Sequence, residues 1–143
     1  VEAALLAKGG HVYAIERDPR GCRLIKENAK NLGAFNLTCI QAEAPEAFEG
    51  LEAPDAAFIG GSGGRLTDIL EKLLQINHSL RLAVTAVTLE TLAQGTEAFN
   101  RFPIDNPEIV QVAVSRARDL KDGWHLMTAQ NPVFIISGVG ANG

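Results

Sequence analysis

Apolar positions change their spacing from segment to segment along this chain, and the spacing predicts its elements. Val1, Leu5 and Leu6, interleaved with alanines and closed by Lys8-Gly9-Gly10, read as the end of a helix with a basic last turn. "HVYAIERD" follows as a short apolar strand over 11 to 16 that ends on Glu16. "PRGCRLIKENAKNLG" opens on Pro19, carries apolar Cys22, Leu24, Ile25 and Ala29, and stops at Gly33, the signature of an amphipathic helix. "LTCIQA" at 37 to 42 is a second strand, and "EAPEAFEGL" a loop or short helix. "DAAFIGG" at 55 to 61 is a third strand, apolar throughout and therefore expected to be buried on both faces.

The alternation continues. "GRLTDILEKLLQIN" sets Leu66, Ile69, Leu70, Leu73 and Leu74 on one helical stripe. "RLAVTAV" at 81 to 87 reads as a fourth buried strand, and "TLETLAQGTEAFNRF" as a further full helix. From Pro107 the rhythm changes: "EIVQVAVSRAR" alternates as a strand, "DLKDGW" turns, and Val133 to Ser137 form a last strand, so the tail reads as one antiparallel hairpin. Strands alternating with helices and closed by a hairpin predict an α/β doubly wound sheet with an antiparallel edge, in a single domain over 1–143.

Composition narrows the partners. The chain has 143 residues and a formal net charge of −4, and its thirteen basic residues form no block, which argues against nucleic acid. Cys22 and Cys39 have neither a metal-ligand spacing nor a disulfide framework, so two reduced thiols of a cytoplasmic protein and no metal site are expected. No apolar run approaches the ~20 residues that span a bilayer and nothing resembles a signal peptide, so no membrane partner is expected. The chain opens on Val1 and its one methionine is Met127, which reads as a start inside a longer protein, truncated at its N-terminus.

Five stretches carry possible chemistry. Glu16 ends a strand, where an acid accepts both ribose hydroxyls of a nucleoside cofactor; a solvated charge capping the next helix reads equally well. In "QAEAP", Glu43 and the N–H of Ala44 suit an adenine edge, or else form a polar turn. "FIGGSGG" bares the backbone around Ser62 at a strand end, allowing close approach of a ligand; it lacks the Gly-Lys-Ser/Thr of a phosphate loop, and no partners make it a nucleophile elbow. Thr85, Thr88 and Glu90 offer hydroxyls and a carboxylate where a strand gives way to a helix, although Thr88 also suits a helix cap. Gln130 and Asn131 offer a polar rim before Pro132, or simply a turn. His11, His78 and His125 read as structural or surface residues.

In order, "VYAIERDP", "NLTCIQAEAPEAF", "PDAAFIGGSGG", "AVTLETL" and "AQNPVFII" resemble the decarboxylating precorrin-6Y C5,15-methyltransferases of cobalamin biosynthesis. More narrowly, they resemble the C-terminal methyltransferase half, which also occurs as a separate decarboxylating cobalt-precorrin methyltransferase. The resemblance runs from Val1 to Gly138. It implies a Rossmann-like sheet with an antiparallel C-terminal hairpin and S-adenosyl-L-methionine as cofactor, with Glu16 on the ribose, Glu43 and Ala44 at the adenine, and Gly60 and Gly61 near the methionine. The family's D-x-G-x-G-x-G loop and first strand are absent from this sequence; that strand would lie between those at 11 to 16 and 55 to 61. The implied substrate, a polycarboxylated tetrapyrrole, makes Ser62, Gly63, Arg65, Thr85, Thr88, Gln130 and Asn131 its candidate contacts, with Arg116 and Arg118 as further partners for its carboxylates. A homo-oligomer through the tail hairpin is implied, and fusion to an upstream methyltransferase domain is possible in the parent protein. Two other readings are a methyltransferase of this fold for another small molecule, and an inactive fragment or interaction module.

Overall fold

The computed structural model describes residues 1–141, which fall into two compact units, one of Val1–Leu51 and one that begins at Glu52. The first unit contains α1 (Glu2–Leu6), β1 (Val12–Ile15), α2 (Pro19–Leu32) and β2 (Leu37–Ile40), then a single 3-10 turn at Glu46–Phe48. β1 and β2 pair in parallel, from Val12 opposite Leu37 to Ile15 opposite Ile40. The start and stop of α2 follow from its ends: the Asp18 carboxylate accepts the Arg20 N–H at 2.8 Å, Pro19 needs no donor there, and Gly33 takes the left-handed φ of 73°. Ala4, Ala29 and Ala34 form the small core of this unit, with Val1, Val12 and Leu37 against it. α1 ends at Leu6, so Lys8 lies past the helix rather than in a basic last turn. The side-chain amide of Asn36 donates to the carbonyls of Ala4, Ala7 and Gly10, at 2.9 to 3.1 Å, and so anchors the connection from α1 to β1.

The second unit holds β3 (Ala56–Ile59), α3 (Leu66–Ile76), β4 (Arg81–Ala86), α4 (Leu89–Arg101), β5 (Ile104–Val112), β6 (Ser115–Asp119), β7 (His125–Ala129) and β8 (Val133–Gly140). Four strands make one sheet in the order β3-β4-β8-β5, parallel between β3 and β4 and antiparallel on both sides of β8. Leu66, Ile69, Leu70 and Leu73 of α3, Ala98 and Phe99 of α4, Leu82, Val84 and Ala86 of β4, and Ile136 of β8 are buried as its core. At Gly95 an added Cβ would collide with Ile136 Cδ1, so the missing side chain lets α4 sit close on β8.

One expectation needs correction and another refinement. β3 is not buried on both faces: Ile59 is buried, but Ala56 and Phe58, on the other face, are exposed, Phe58 by 67%. Its apolar run therefore reflects one packed face and one open one. The tail is the expected antiparallel hairpin with both arms interrupted: β5 and β6 run out to the turn at 120–124, β7 and β8 return, and the Gln130 N–H on the Val114 carbonyl links the two paired stretches. β5 begins before Pro107, which sits in an irregularity between Asp105 and Glu108 where Asn106 takes φ 50°, and the chain then breaks at 113–114 before β6. β6 and β7 pair only with each other, while β5 and β8 complete the main sheet. Among the described strands β1 pairs only with β2 and β3 only with β4.

Both cysteines are free thiols, as expected; Cys22 is buried, and desolvation followed by the neighbouring Cys22 thiol pushes the Cys39 pKa up. Among the described residues no helix is long and apolar enough to cross a membrane.

Candidate functional site

Each unit places part of the predicted site at the carboxyl ends of its parallel strands, where an open α/β sheet binds ligands. In the first unit the Glu16 N–H donates to the Ile40 carbonyl at 3.1 Å, so Glu16 and the turn at 41–45 leave the sheet at the same end. The Glu16 carboxylate accepts the Asp18 N–H at 2.8 Å and lies against Gly21, where an added Cβ would stand 2.8 Å from Cγ and 2.9 Å from Cδ. The acid therefore braces the turn into α2, whose cap is Asp18 rather than Glu16. A carboxylate has about four acceptor positions, so that bond leaves capacity for a ligand. The Cys22 thiol donates to the Glu16 carbonyl at 3.2 Å, fixing the backbone from beneath. Glu43 makes an exposed ion pair with Arg17 at 3.6 Å, worth at most about 1 kcal/mol in solvent. Ala44 is joined to Pro45 by a cis peptide bond, and the Glu43 carbonyl accepts the Ala47 N–H at 2.9 Å.

In the second unit Ile59 lies opposite Val84, and the Thr85 hydroxyl donates to the Ile59 carbonyl at 3.5 Å. An added Cβ at Gly60 would come 3.4 Å from Phe58 and 4.0 Å from that hydroxyl, whereas one at Gly61 would meet nothing within 4 Å. Gly63 and Gly64 take φ of 57° and 87°, and the Arg65 N–H closes the turn onto the Ser62 carbonyl. The glycines thus divide: the first pair bares a surface, the second makes a left-handed turn. Arg65 pairs with Asp68 at 3.5 Å. Thr88 caps α4, its oxygen accepting the Thr91 N–H at 3.1 Å while its hydroxyl donates to Thr91 Oγ1 at 3.0 Å, so the cap reading of Thr88 holds.

Register brings the tail to the same place. Phe134 is opposite Ala86 and Val112 opposite Val133, so the connection at 130–132 emerges at the sheet end that carries Gly60 and Thr88. Gln130 and Asn131 are exposed there, the Gln130 N–H bonded to the Val114 carbonyl at 2.9 Å. The β6–β7 hairpin is rooted at that end, with Arg116 opposite Thr128 and Arg118 opposite Leu126, two positions apart and so on one face. Sequence reasoning missed Gly21; a glycine inside an otherwise regular helix was the available signal. An open groove of about 440 Å³ lined in part by Lys26, Lys30, Phe35 and Cys39 contains none of the candidate residues.

The sequence pattern of the precorrin methyltransferase domain matches residues 1–138. The chain belongs to that family. The match runs through residues of both units, and the five stretches singled out above lie inside it. A relative from Salmonella typhimurium, named cobalt-precorrin-6B C(15)-methyltransferase (decarboxylating), is 33% identical over 138 residues, covering 96% of this chain and 70% of its own. The crystal structure of the precorrin-6Y C5,15-methyltransferase of Geobacter metallireducens superposes with a TM-score of 0.87 at 33% identity, over 96% of this chain and 72% of that one. A SAM-dependent O-methyltransferase of Thermotoga maritima shares the fold at a TM-score of 0.74 and 15% identity, over 96% of this chain and 52% of that one. The mixed α/β architecture with antiparallel strands is that of these methyltransferases.

Proposed function

We propose that this chain is an S-adenosyl-L-methionine-dependent C-methyltransferase and decarboxylase for a precorrin intermediate of cobalamin (vitamin B12) biosynthesis. The observation that carries the proposal is the family match over residues 1–138, which includes Glu16, Glu43 and the whole glycine loop. Homology to enzymes named as decarboxylating precorrin methyltransferases supplies the substrate class.

Within each unit, the residues present suit part of such a cofactor. Glu16 would accept the ribose hydroxyls with the capacity its Asp18 bond leaves, Glu43 and the Ala44 N–H would take the adenine edge, and Gly60 with the unencumbered Gly61 would line the methionine portion. When bound, S-adenosylmethionine supplies a methyl group made electrophilic by its sulfonium. Transfer of that group to a ring carbon is an in-line displacement, so the chain's task is alignment, which can supply roughly 7–11 kcal/mol of the barrier. For the tetrapyrrole's carboxylates the proposal assigns Arg65, Arg116 and Arg118, with Ser62, Gly63, Thr85, Gln130 and Asn131 at the same sheet end. Thr88 contributes through the turn it caps. Loss of carbon dioxide from an acetate arm leaves electrons that the conjugated macrocycle accepts, and the protein's part is to hold and desolvate that arm. A cytoplasmic homo-oligomer completes the proposal; the exposure of Trp124, by 73%, and Met127, by 63%, on the tail hairpin supports assembly there.

The test is turnover of cobalt-precorrin-6B with methyl-labelled S-adenosylmethionine, following label in the corrin and carbon dioxide release. Neither product from folded protein would overturn the proposal. Because a side chain at Gly61 meets nothing within 4 Å, Gly61→Val should fold normally and lose turnover at least tenfold by filling the bare surface. Normal turnover in that variant would place the loop away from the ligand.

A further inference from the structure

The turn between β4 and α4 is built inside out for a surface turn. Its polar atoms are engaged within the fold: Thr85 donates to the Ile59 carbonyl, and Thr88 both accepts from and donates to Thr91. Its large apolar side chains stand in solvent, Val87 exposed by 67% and Leu89 by 75%. At a helix start of this kind the residue before the cap commonly packs on the fourth helical residue, here Leu92, yet Val87 remains mostly uncovered. Register puts this turn at the same sheet end as Gly60 and Gly61, which present backbone without side chains, and as the hairpin that carries Arg116 and Arg118. Two open apolar side chains and basic groups rooted at one sheet end, beside the bare backbone proposed for the cofactor, suit a ligand with a flat apolar body and anionic arms. Val87 and Leu89 offer no polar group to the zwitterionic methionine end of a cofactor, which the function proposed above places at Gly60 and Gly61.

We infer that Val87 and Leu89 form an apolar shelf that seats the ring face of the tetrapyrrole substrate and sets specificity for a macrocycle. The inference rests on the function proposed above and adds two specificity-determining residues to it.

Leu89→Gln and Val87→Thr keep side-chain size while removing apolar surface, and Leu89→Met restores it. The shelf predicts that Leu89→Gln raises KM for the tetrapyrrole about tenfold, Val87→Thr severalfold, and Leu89→Met little, with the Kd for S-adenosylhomocysteine unchanged in all three. Titration with uroporphyrin, a polycarboxylated macrocycle, gives a second readout that needs no turnover, and the same order of affinities is expected. Wild-type protein that binds uroporphyrin but transfers no methyl group would defeat the proposed reaction while leaving the shelf standing. Unchanged KM and uroporphyrin affinity in Leu89→Gln would overturn the shelf. So would a fall in melting temperature accompanying the loss, or sedimentation showing that Leu89→Gln splits an assembly of copies, because Leu89 would then be covered by protein.

Discussion

Glu16 has two structural neighbours that bear on its proposed role: the Asp18 N–H, which it accepts, and Gly21, which leaves room for its side chain. Removing the carboxylate in Glu16→Ala should weaken S-adenosylhomocysteine binding about tenfold or more, the scale of a lost hydrogen bond to a charged group. Calorimetry reads this directly, and unchanged affinity would end the assignment. Gly21→Ala separates position from presence, because the new methyl would lie 2.8 Å from Glu16 Cγ and push the carboxylate aside. Affinity should fall severalfold without loss of melting temperature, since alanine is favoured over glycine in a helix by up to about 1 kcal/mol. The acid was legible in the sequence because it closes an apolar strand. Gly21 was not, because in one dimension a helix glycine is only a weak point, and the carboxylate that needs its space is five residues away.

Elements with covalent or capping punctuation were legible: Asp18, Pro19 and Gly33 bound α2 as their chemistry requires. β3 shows where an apolar run misleads, since Ala56, Phe58 and Ile59 look alike in sequence although the packed and open faces alternate. The tail was legible as a hairpin but not its interruption: the break at 113–114 falls between apolar residues and carries no glycine or proline, so β5 and β6 read as one strand. Tight contact was equally hidden. At Gly140 an added Cβ would overlap the His78 carbonyl oxygen and come 2.6 Å from Leu74 Cδ2. Gly140→Ala should therefore cost about 1–3 kcal/mol through overpacking, measured as a lower denaturant midpoint with unchanged slope.

For the whole molecule, family membership was more legible than architecture, because the five short stretches fall at strand ends and turns while the division into units appears in none of them. The sheets differ in how their strands are bordered: β4 and β8 have a paired neighbour on each side, whereas β1, β2, β3 and β5 each have one. In heavy water this ordering becomes a clock. Amide protons of β4 and β8, shielded on two flanks and packed against α4, should be the last to exchange, and deuterium should enter first along the outer strands. Peptide-resolved mass spectrometry would show this gradient, and its centre of protection would mark the stretch of chain whose opening requires global unfolding.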